Sequence, residues 1–233
     1  MFRGFGITGK VNVFNNPSSV GAKGVTIKLF NDKQTVISTT QTDESGTFTF
    51  SPIIPGSYVV EASHATWHFT KTEHSVTVTT GNTKLPENSL LVSGFNLYGS
   101  ISQPAINIGL LIYNRKGQNT FHKCSDKLPK GEIMQTISRD YDNQPLCFTN
   151  ADNNGDYSFQ NLATGRYLIM PFVDKSSVEF NISPSSIEAE IKADNEKLSE
   201  AFEINGFTAT GRVVLSQQNK KGVSGATIKI DGK

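Results

Sequence analysis

The sequence predicts an all-β protein made of tandem β-sandwich modules. A strand pattern returns three times along the 233 residues, a turn-and-hairpin pattern follows it twice, and the composition favours strands. Fifteen Phe and 20 Gly accompany frequent Val, Ile and Thr, and few stretches favour a helix. A chain of this length suits two small cores better than one.

The strand pattern opens each repeat. Its copies begin at Gly4, Gly94 and Gly206 and read GFGITGKV, GFNLYGSI and GFTATGRV. Apolar residues and a glycine take alternate positions, which is typical of a strand with one face in a core. We expect the glycine within this stripe to let a neighbouring side chain or backbone approach closely.

A hairpin pattern follows in the first two copies. TDESGTFTF and ADNNGDYSF predict a tight turn at Gly46 and at Gly155, and then a strand with alternating aromatic residues. Ten residues later, Gly56 and Gly165 each precede a returning strand. The strand between the two patterns is predicted at residues 25–30, 109–113 and 226–230.

The spacing of the repeats predicts the module boundaries. The strand pattern recurs after 90 residues and again after 112, so the second copy holds an insertion, near residues 115–144. We predict one module over 1–89, a second over 90–202, and the truncated start of a third over 203–233. This last piece should fray or pair with a neighbouring edge, because two strands cannot bury a core.

The charge balance and the motif content argue against several functions. Net charge is +1 with both signs interspersed, so nothing favours nucleic acid or an anionic membrane surface. No apolar run reaches 18 residues, so we do not expect this segment to span a bilayer. Because the chain stops in the middle of the third copy, we interpret it as a piece of a longer protein, and a signal peptide and an anchor would then lie outside it. Hydrolase, zinc-protease and phosphate-loop motifs are absent, so we predict no enzyme activity, no catalytic residue and no cofactor.

The segment DNNGD at residues 152–156 has the alternating oxygen donors of a calcium loop. A full loop would need a bidentate glutamate near residues 161–163, where the sequence has none. Asn-Gly is also a preferred dipeptide of hairpin turns. A simple turn is therefore predicted, with calcium binding as the alternative.

Three histidines share one strand parity: His64, His68 and His74. Metal binding needs convergence and further ligands. Trp67 and Phe69 intervene and a turn is expected within the segment, so we interpret these residues as surface or packing histidines and predict no metal site.

The motifs resemble a known family. GFxxxGxV, DxxGxFxF and PGxY are similar to the prealbumin-like repeats of carboxypeptidase regulatory domains and bacterial surface proteins, which have an immunoglobulin-like sandwich fold. More closely, nearly the whole chain resembles a luminal segment of the nodal modulator family. Four features carry that resemblance: HATW at 64–67, the cysteine-bearing insertion, IMPF at 169–172 and FNISPS at 180–185.

This resemblance implies a luminal part of a single-pass membrane protein of the endoplasmic reticulum, built as a rod of such modules. It implies assembly with nicalin and a small multispanning membrane protein near the translocon, during insertion of multipass membrane proteins. It also implies a link to Nodal signalling. The expected role is that of a non-enzymatic scaffold that binds proteins.

Two further features suit a luminal setting. Cys124 and Cys147 are the two cysteines, and a disulfide between them would tie the insertion to its sandwich, worth about 3 kcal/mol in a loop-entropy estimate. Free thiols in a reducing compartment are the alternative. Asn181 begins the acceptable N-glycosylation sequon, which Pro184 makes less efficient.

A carbohydrate-binding module is the alternative function, since the family is grouped with carbohydrate-binding-like folds. Such a module needs exposed aromatic side chains beside polar groups. Trp67, Tyr98 and Tyr113 are the candidates, with Tyr98 the strongest because it takes the outward parity of its strand.

A bacterial adhesin stalk with Lys–Asn crosslinks is a further hypothesis. A crosslinking lysine should recur on the inward face of the first strand. Lys10 instead takes the outward parity and is replaced by Ser100 and Arg212 in the other copies, which weakens this hypothesis.

Overall fold

The computed structural model describes residues 4–16, 21–102, 108–119, 137–172, 180–207 and 211–229. Within these ranges the protein consists of β-strands, turns and irregular segments, with no helix. No helix that could cross a membrane occurs in this part of the chain. The predicted fold class is confirmed: the strands form tandem β-sandwiches.

Seventeen strands follow one another along the described residues. The first eight are β1 (Phe5–Val13), β2 (Thr26–Phe30), β3 (Val36–Gln41), β4 (Thr47–Ile53), β5 (Gly56–Ser63), β6 (His68–Lys71), β7 (Glu73–Val78) and β8 (Thr83–Lys84). The others are β9 (Leu90–Ser102), β10 (Gly109–Asn114), β11 (Cys147–Asn150), β12 (Asp156–Leu162), β13 (Gly165–Phe172), β14 (Phe180–Ser183), β15 (Ile187–Ile191), β16 (Glu196–Lys197) and β17 (Phe202–Phe207).

The first module pairs two sheets around an apolar core. One sheet has the order β3-β2-β5-β7, and the other joins β1 to β4, β8 and β9, with β6 on the far side of β9. Buried residues alternate along β1 and β2, as the period of two predicts. Ile7, Val11, Ile27 and Leu29 are fully buried between the sheets.

The second module repeats this plan. Its four-stranded sheet has the order β11-β10-β13-β15, and the opposing sheet joins β9 to β12, β16 and β17, with β14 beyond β17. Strands β9, β12 and β16 thus take the places of β1, β4 and β8. One cluster of buried apolar residues contains members from both modules, so the core continues from one sandwich into the next.

The glycine within the strand stripe makes room for an aromatic ring, as predicted. A methyl group at Gly9 would overlap the ring of Phe48 on β4, and one at Gly99 would overlap the ring of Tyr157 on β12. At Gly211 a methyl group would meet nothing within 4 Å, so the third copy lacks the aromatic partner.

Only the first strand of the third copy is formed among the described residues. Its β17 is paired on β9 and β14, so the start of the copy lies on the edge of the second module. The strand predicted at 226–230 is not formed over residues 226–229, and residue 230 lies outside the described ranges. Ile228 is 65% exposed there, because no second sheet packs over it within the part of the chain that the structure describes.

The predicted insertion falls largely outside the described residues, which omit 120–136. Its two flanks meet at an isolated antiparallel bridge between Arg115 and Tyr141. Tyr141 packs with Leu111, Tyr113 and Met170 in a second apolar cluster, which is formed by the second module. The insertion therefore begins and ends beside the four-stranded sheet of that module.

Candidate interaction site at the module junction

Strand β9 is shared by the two modules. Its first residues, Leu90–Val92, pair in parallel with Val11–Val13 of β1, and Gly94 pairs with His68 of β6. From Phe95 onward the strand pairs with β12, and then with β16 and β17. The change of partners occurs inside one continuous strand, so no linker separates the sandwiches. We call the side chains around this change the junction.

Asn96 is the central polar residue of the junction and is only 7% exposed. Its Oδ1 accepts hydrogen bonds from His68 Nε2 at 2.9 Å and from the Asn161 backbone N–H at 3.3 Å. Its Nδ2 donates to the Thr66 carbonyl at 3.0 Å and to the Tyr98 hydroxyl at 3.2 Å. One amide thus joins the β6 region of the first module to β9 and the end of β12 in the second.

A second amide extends this contact. Asn195 Oδ1 accepts from the Asn96 backbone N–H at 2.8 Å, and its Nδ2 donates to Thr66 Oγ1 at 2.7 Å. Asp194 Oδ1 accepts from the Asn195 backbone N–H at 2.7 Å and from Trp67 Nε1 at 3.0 Å. The turn before β16 is therefore bound to the segment before β6, 127 residues earlier in the chain.

Trp67 forms the apolar part of the junction. Its ring stacks on His64 with centroids 3.9 Å apart and packs edge-on against Phe95 at 5.1 Å. Burial beside Trp67 lowers the pKa of His64, and the nearby Asp194 carboxylate partly opposes that shift. His64 is therefore held neutral over a wider pH range than a free imidazole.

The opposite side of the junction is held by hydroxyl groups. Thr164 Oγ1 lies 2.8 Å from the Asn15 carbonyl and 3.3 Å from the Phe14 carbonyl, and it donates its proton there. Ser93 Oγ donates to Asn161 Oδ1 at 2.8 Å. The turn between β12 and β13 is thus bound to the end of the first module.

These contacts are chemically suited to positioning. They combine amides, hydroxyls and stacked rings, and hydrogen bonds cross the junction on both sides of β9. Among the described residues, no group of three or more His, Cys, Asp or Glu could hold a metal ion. The arrangement fixes the angle between two sandwiches by burying polar groups whose partners come from both.

The three aromatic residues proposed as glycan contacts have different surroundings. Tyr113 is fully buried in the second apolar cluster, where burial raises its pKa to about 12, so a glycan cannot reach it in this fold. This burial argues against a glycan contact at Tyr113, because the whole of β10 is buried. Trp67 is half-buried in the junction, and Tyr98 is 37% exposed.

The predicted disulfide and glycan fall in the second module. Cys147 starts β11, is buried and is disulfide-bonded. Cys124 lies outside the described residues, so the pairing of the two cysteines stays a prediction. Asn181 is exposed on β14, a strand at the end of its sheet, and glycosylation there also stays a prediction.

The supposed calcium loop is a turn in the structure. Asp152 Oδ1 accepts backbone hydrogen bonds from Asn154 at 2.8 Å and from Asp156 at 3.0 Å. Asp43 makes the same contacts in the first module, to Ser45 at 2.8 Å and Thr47 at 2.9 Å. The two turns are therefore equivalent, and their carboxylates cap backbone N–H groups.

The three histidines have separate surroundings. His64 stacks on Trp67, His68 binds Asn96, and His74 lies on β7 opposite Val60 of β5. Two of them thus belong to the junction as packing and hydrogen-bonding groups.

Sequence reasoning missed the polar centre of the junction. Asn96 stood in the strand pattern as one of the small or polar outward residues, and Asp194-Asn195 drew no attention. One signal was present: Asn96 takes the place of Gly6 in the first copy and of Thr208 in the third, so its amide is peculiar to the second module.

Two sequence models of one family match in succession. The first, described as "BOS complex subunit NOMO1-like, second beta sandwich domain", covers residues 2–93. The second, described as "NOMO third transthyretin-like domain", covers residues 98–204. The interval between them falls at the point where β9 changes partners.

Curated relatives agree with these matches. Human "BOS complex subunit NOMO1" is 29% identical over 236 aligned residues, which cover 99% of this chain and 19% of the relative. Mouse "BOS complex subunit NOMO1" is 28% identical with the same coverage. The chain spans about a fifth of the length of these relatives. "Serine-aspartate repeat-containing protein D" of Staphylococcus aureus strain Newman is 27% identical over 82% of this chain and 14% of its own.

Two solved structures that match the chain have TM-scores below 0.5. "The Bacillus anthracis TIE protein" has a TM-score of 0.35 and 12% identity, over 85% of this chain and 34% of its own. The shaft pilin SpaA of Lactobacillus rhamnosus GG has a TM-score of 0.34 and 10% identity, over 88% of this chain and 99% of its own. The two consecutive domain matches, by contrast, cover nearly the whole chain. The chain therefore belongs to the nodal modulator family, and its two sandwiches match the second and third domains of that family.

Proposed function

We propose that the chain is a rigid, non-enzymatic spacer within the luminal part of an endoplasmic reticulum membrane complex. The observation that carries the proposal is β9, one strand that serves both sandwiches and is hydrogen-bonded on both sides of the junction. A strand without a linker keeps two modules at one angle, whereas a flexible linker would let them vary. The relatives are named as subunits of the BOS complex, which supports placement in such an assembly.

The proposed partners are nicalin and a small multispanning membrane protein, close to the translocon. In this proposal the rod holds partners at a set distance while multipass membrane proteins are inserted. The link to Nodal signalling would then follow indirectly, through the membrane proteins that depend on this assembly. The membrane anchor belongs to a part of the polypeptide beyond these 233 residues.

The test replaces residues 4–207 of the full-length protein with a Gly/Ser linker of equal length. Affinity purification should still recover nicalin, whereas insertion of a multipass reporter protein should fall, because a flexible linker does not preserve distance. Loss of nicalin would instead show that this segment binds the partner directly. Full reporter insertion with the linker would contradict the spacer function.

A luminal location favours an oxidised cysteine pair and permits a glycan. Peptide mapping without reduction should find Cys124 joined to Cys147 in protein purified from cells. Endoglycosidase treatment should increase gel mobility, and Asn181→Gln should abolish that shift in this chain. Two free thiols in protein isolated from the secretory pathway would contradict the predicted disulfide.

A further inference from the structure

We infer that the end of the first module around Ile54 is a docking surface for another sandwich of the same repeat. The inference rests on the internal symmetry of the chain, because the equivalent surface of the second module is already docked. It does not depend on which membrane complex the protein joins.

The two module ends correspond residue by residue. Phe5 pairs with Ile53 at the start of the first module, and Phe95 pairs with Leu162 at the start of the second. The following turns share a hydrogen bond that fixes their shape. Tyr58 donates its hydroxyl proton to the Ile54 carbonyl at 2.8 Å.

In the second module the matching bond runs from the Tyr167 hydroxyl to the Ala163 carbonyl at 2.7 Å. Ala163 is therefore the counterpart of Ile54, and Thr164 is the counterpart of Pro55. The two turns share this bond and the strands that flank them, so they hold the same place in their modules, and their exposed fractions can be compared.

Ala163 is buried next to a contact with the first module. It is 3% exposed, and its neighbour Thr164 donates to the Phe14 and Asn15 carbonyls at the end of that module. A sandwich of this type thus uses this turn to dock onto the end of the sandwich before it.

Ile54 stands in the same place and is 69% exposed, the highest value among the large apolar residues of the described chain. It borders an open cleft of about 530 Å³ that Ile37, Pro52 and Pro55 also line. Ile37 is itself 47% exposed. Exposed apolar side chains that cluster in this way mark a contact surface.

The side chains around Ile54 indicate an apolar contact and not a hydrogen-bonded one. Thr164 docks through its hydroxyl, but Pro55 has no side-chain donor and Ile54 is larger and more apolar than Ala163. We therefore expect Ile54 and Pro55 to make an apolar contact with the module that precedes β1 in the full-length protein. The contact would be made by the end of that module nearest β1, just as the end of the first module contacts the second. The match of this module to a second sandwich domain supports a first domain as the occupant.

Hydroxyl-radical footprinting tests the inference on two proteins, the 233-residue chain and the full-length protein. Oxidation of Ile54 should fall about ten-fold in the full-length protein, in line with 69% exposure of Ile54 against 3% for docked Ala163. Tyr98, which is 37% exposed at the other junction, should react equally in both. Equal oxidation of Ile54 in both proteins would overturn the inference.

Ile54→Asp gives an independent readout. In the 233-residue chain the change should leave thermal unfolding unchanged, because the side chain is exposed. In the full-length protein it should restore oxidation of Pro52 and Pro55 to the level of the short chain. A lower unfolding temperature already in the short chain would mean that Ile54 supports its own module, which would contradict a docking role.

A second copy of the chain is the other occupant that the experiment can reveal. If footprinting of the 233-residue chain shows protection of Ile54 that grows with protein concentration, the surface joins two copies and the inference is wrong. Protection that is absent from the short chain at every concentration, but present in the full-length protein, supports an adjoining module.

Discussion

Asn96 shows how one residue sets the relation between two sandwiches. Its amide is buried, and all of its hydrogen-bonding groups have partners, some from the β6 region and some from the second module. A buried amide is favourable only when its partners are in place, so it disfavours arrangements in which the modules turn relative to each other.

Replacing this amide should destabilise the junction. Asn96→Leu keeps much of the volume but leaves the Asn161 N–H and the Thr66 carbonyl without a partner, which should cost about 2 kcal/mol or more. Denaturant unfolding followed by the fluorescence of Trp67, the one tryptophan, measures the loss. The control is Asn12→Ala, which removes an exposed bond to Asn88 and should change stability by less than about 0.5 kcal/mol. Equal effects of the two changes would contradict the role of Asn96.

His64 should make the junction sensitive to acid. Its pKa is lowered by burial, so the unfolded chain binds a proton more readily than the folded one. The stability that neutral His64 contributes is therefore present above the unfolded pKa, which is about 6.5, and is lost as the pH falls through the folded pKa.

The measurement compares the wild type with His64→Phe, which keeps a ring against Trp67 but does not titrate. Unfolding is followed at pH about 7.5 and about 5.5, a range in which histidine changes charge. The wild type should lose more stability than the variant on acidification. A variant that loses as much as the wild type would show that other groups are responsible.

The residues of the junction were only partly predictable. The sequence predicts Trp67 as a candidate glycan contact and His68 as a surface or packing residue. Their partners, Asn96 and Asp194, come from distant parts of the chain, and no local pattern pairs residues that are 28 or 127 positions apart. The alternation of a strand assigns a side chain to a face, but it cannot show that the outward face of β9 is covered at Asn96 by another module.

At the scale of the strand, the packing of β1 and β9 depends on one glycine in each strand as well as on the apolar residues. The stripe predicted a close approach, and the structure shows what approaches: the ring of Phe48 over Gly9 and that of Tyr157 over Gly99. The first aromatic residue of the hairpin pattern thus packs on the glycine of the strand pattern, and these two residues are the two halves of one contact. This part of the fold could be predicted from the sequence because both halves recur.

Gly99→Ala should be costly for this reason. The added methyl group would overlap the Tyr157 ring, which is 4% exposed and has little room to move, so we expect a loss of about 1–3 kcal/mol. Gly81→Ala is the control, because a methyl group there meets nothing within 4 Å. Thermal unfolding of both variants measures the difference. If Gly99→Ala were as stable as the control, the packing of ring on glycine would not explain the repeat.

The hairpin turns are another element that the sequence predicted for sound physical reasons. Hydrogen bonds from the Ser45 side chain and the Thr47 N–H hold the pKa of Asp43 below its usual value. The carboxylate of this turn is therefore ionised and bound to the backbone at neutral pH. Residues 226–229 of the strand expected at 226–230 show the opposite case, since this stretch has a good strand sequence but forms no strand where no second sheet is found among the described residues.

At the scale of the whole molecule, the two sandwiches form one continuous body. The repeat predicted two modules and a boundary near residue 90, and family matches meet in the same region. It could not predict that β9 would pair in both modules, because a repeat describes what the copies share and not how they join. The cluster of buried apolar residues that runs through both modules stabilises this shared arrangement by removing apolar surface from water.

Residual dipolar couplings measured on the 233-residue chain test this claim most directly. If β9 and the junction fix the modules, couplings from residues 21–85 and from 137–172 should fit one alignment tensor in the arrangement described here. Two tensors of different magnitude or orientation would show that the sandwiches move independently, and the account of this chain as a rigid spacer would then be wrong.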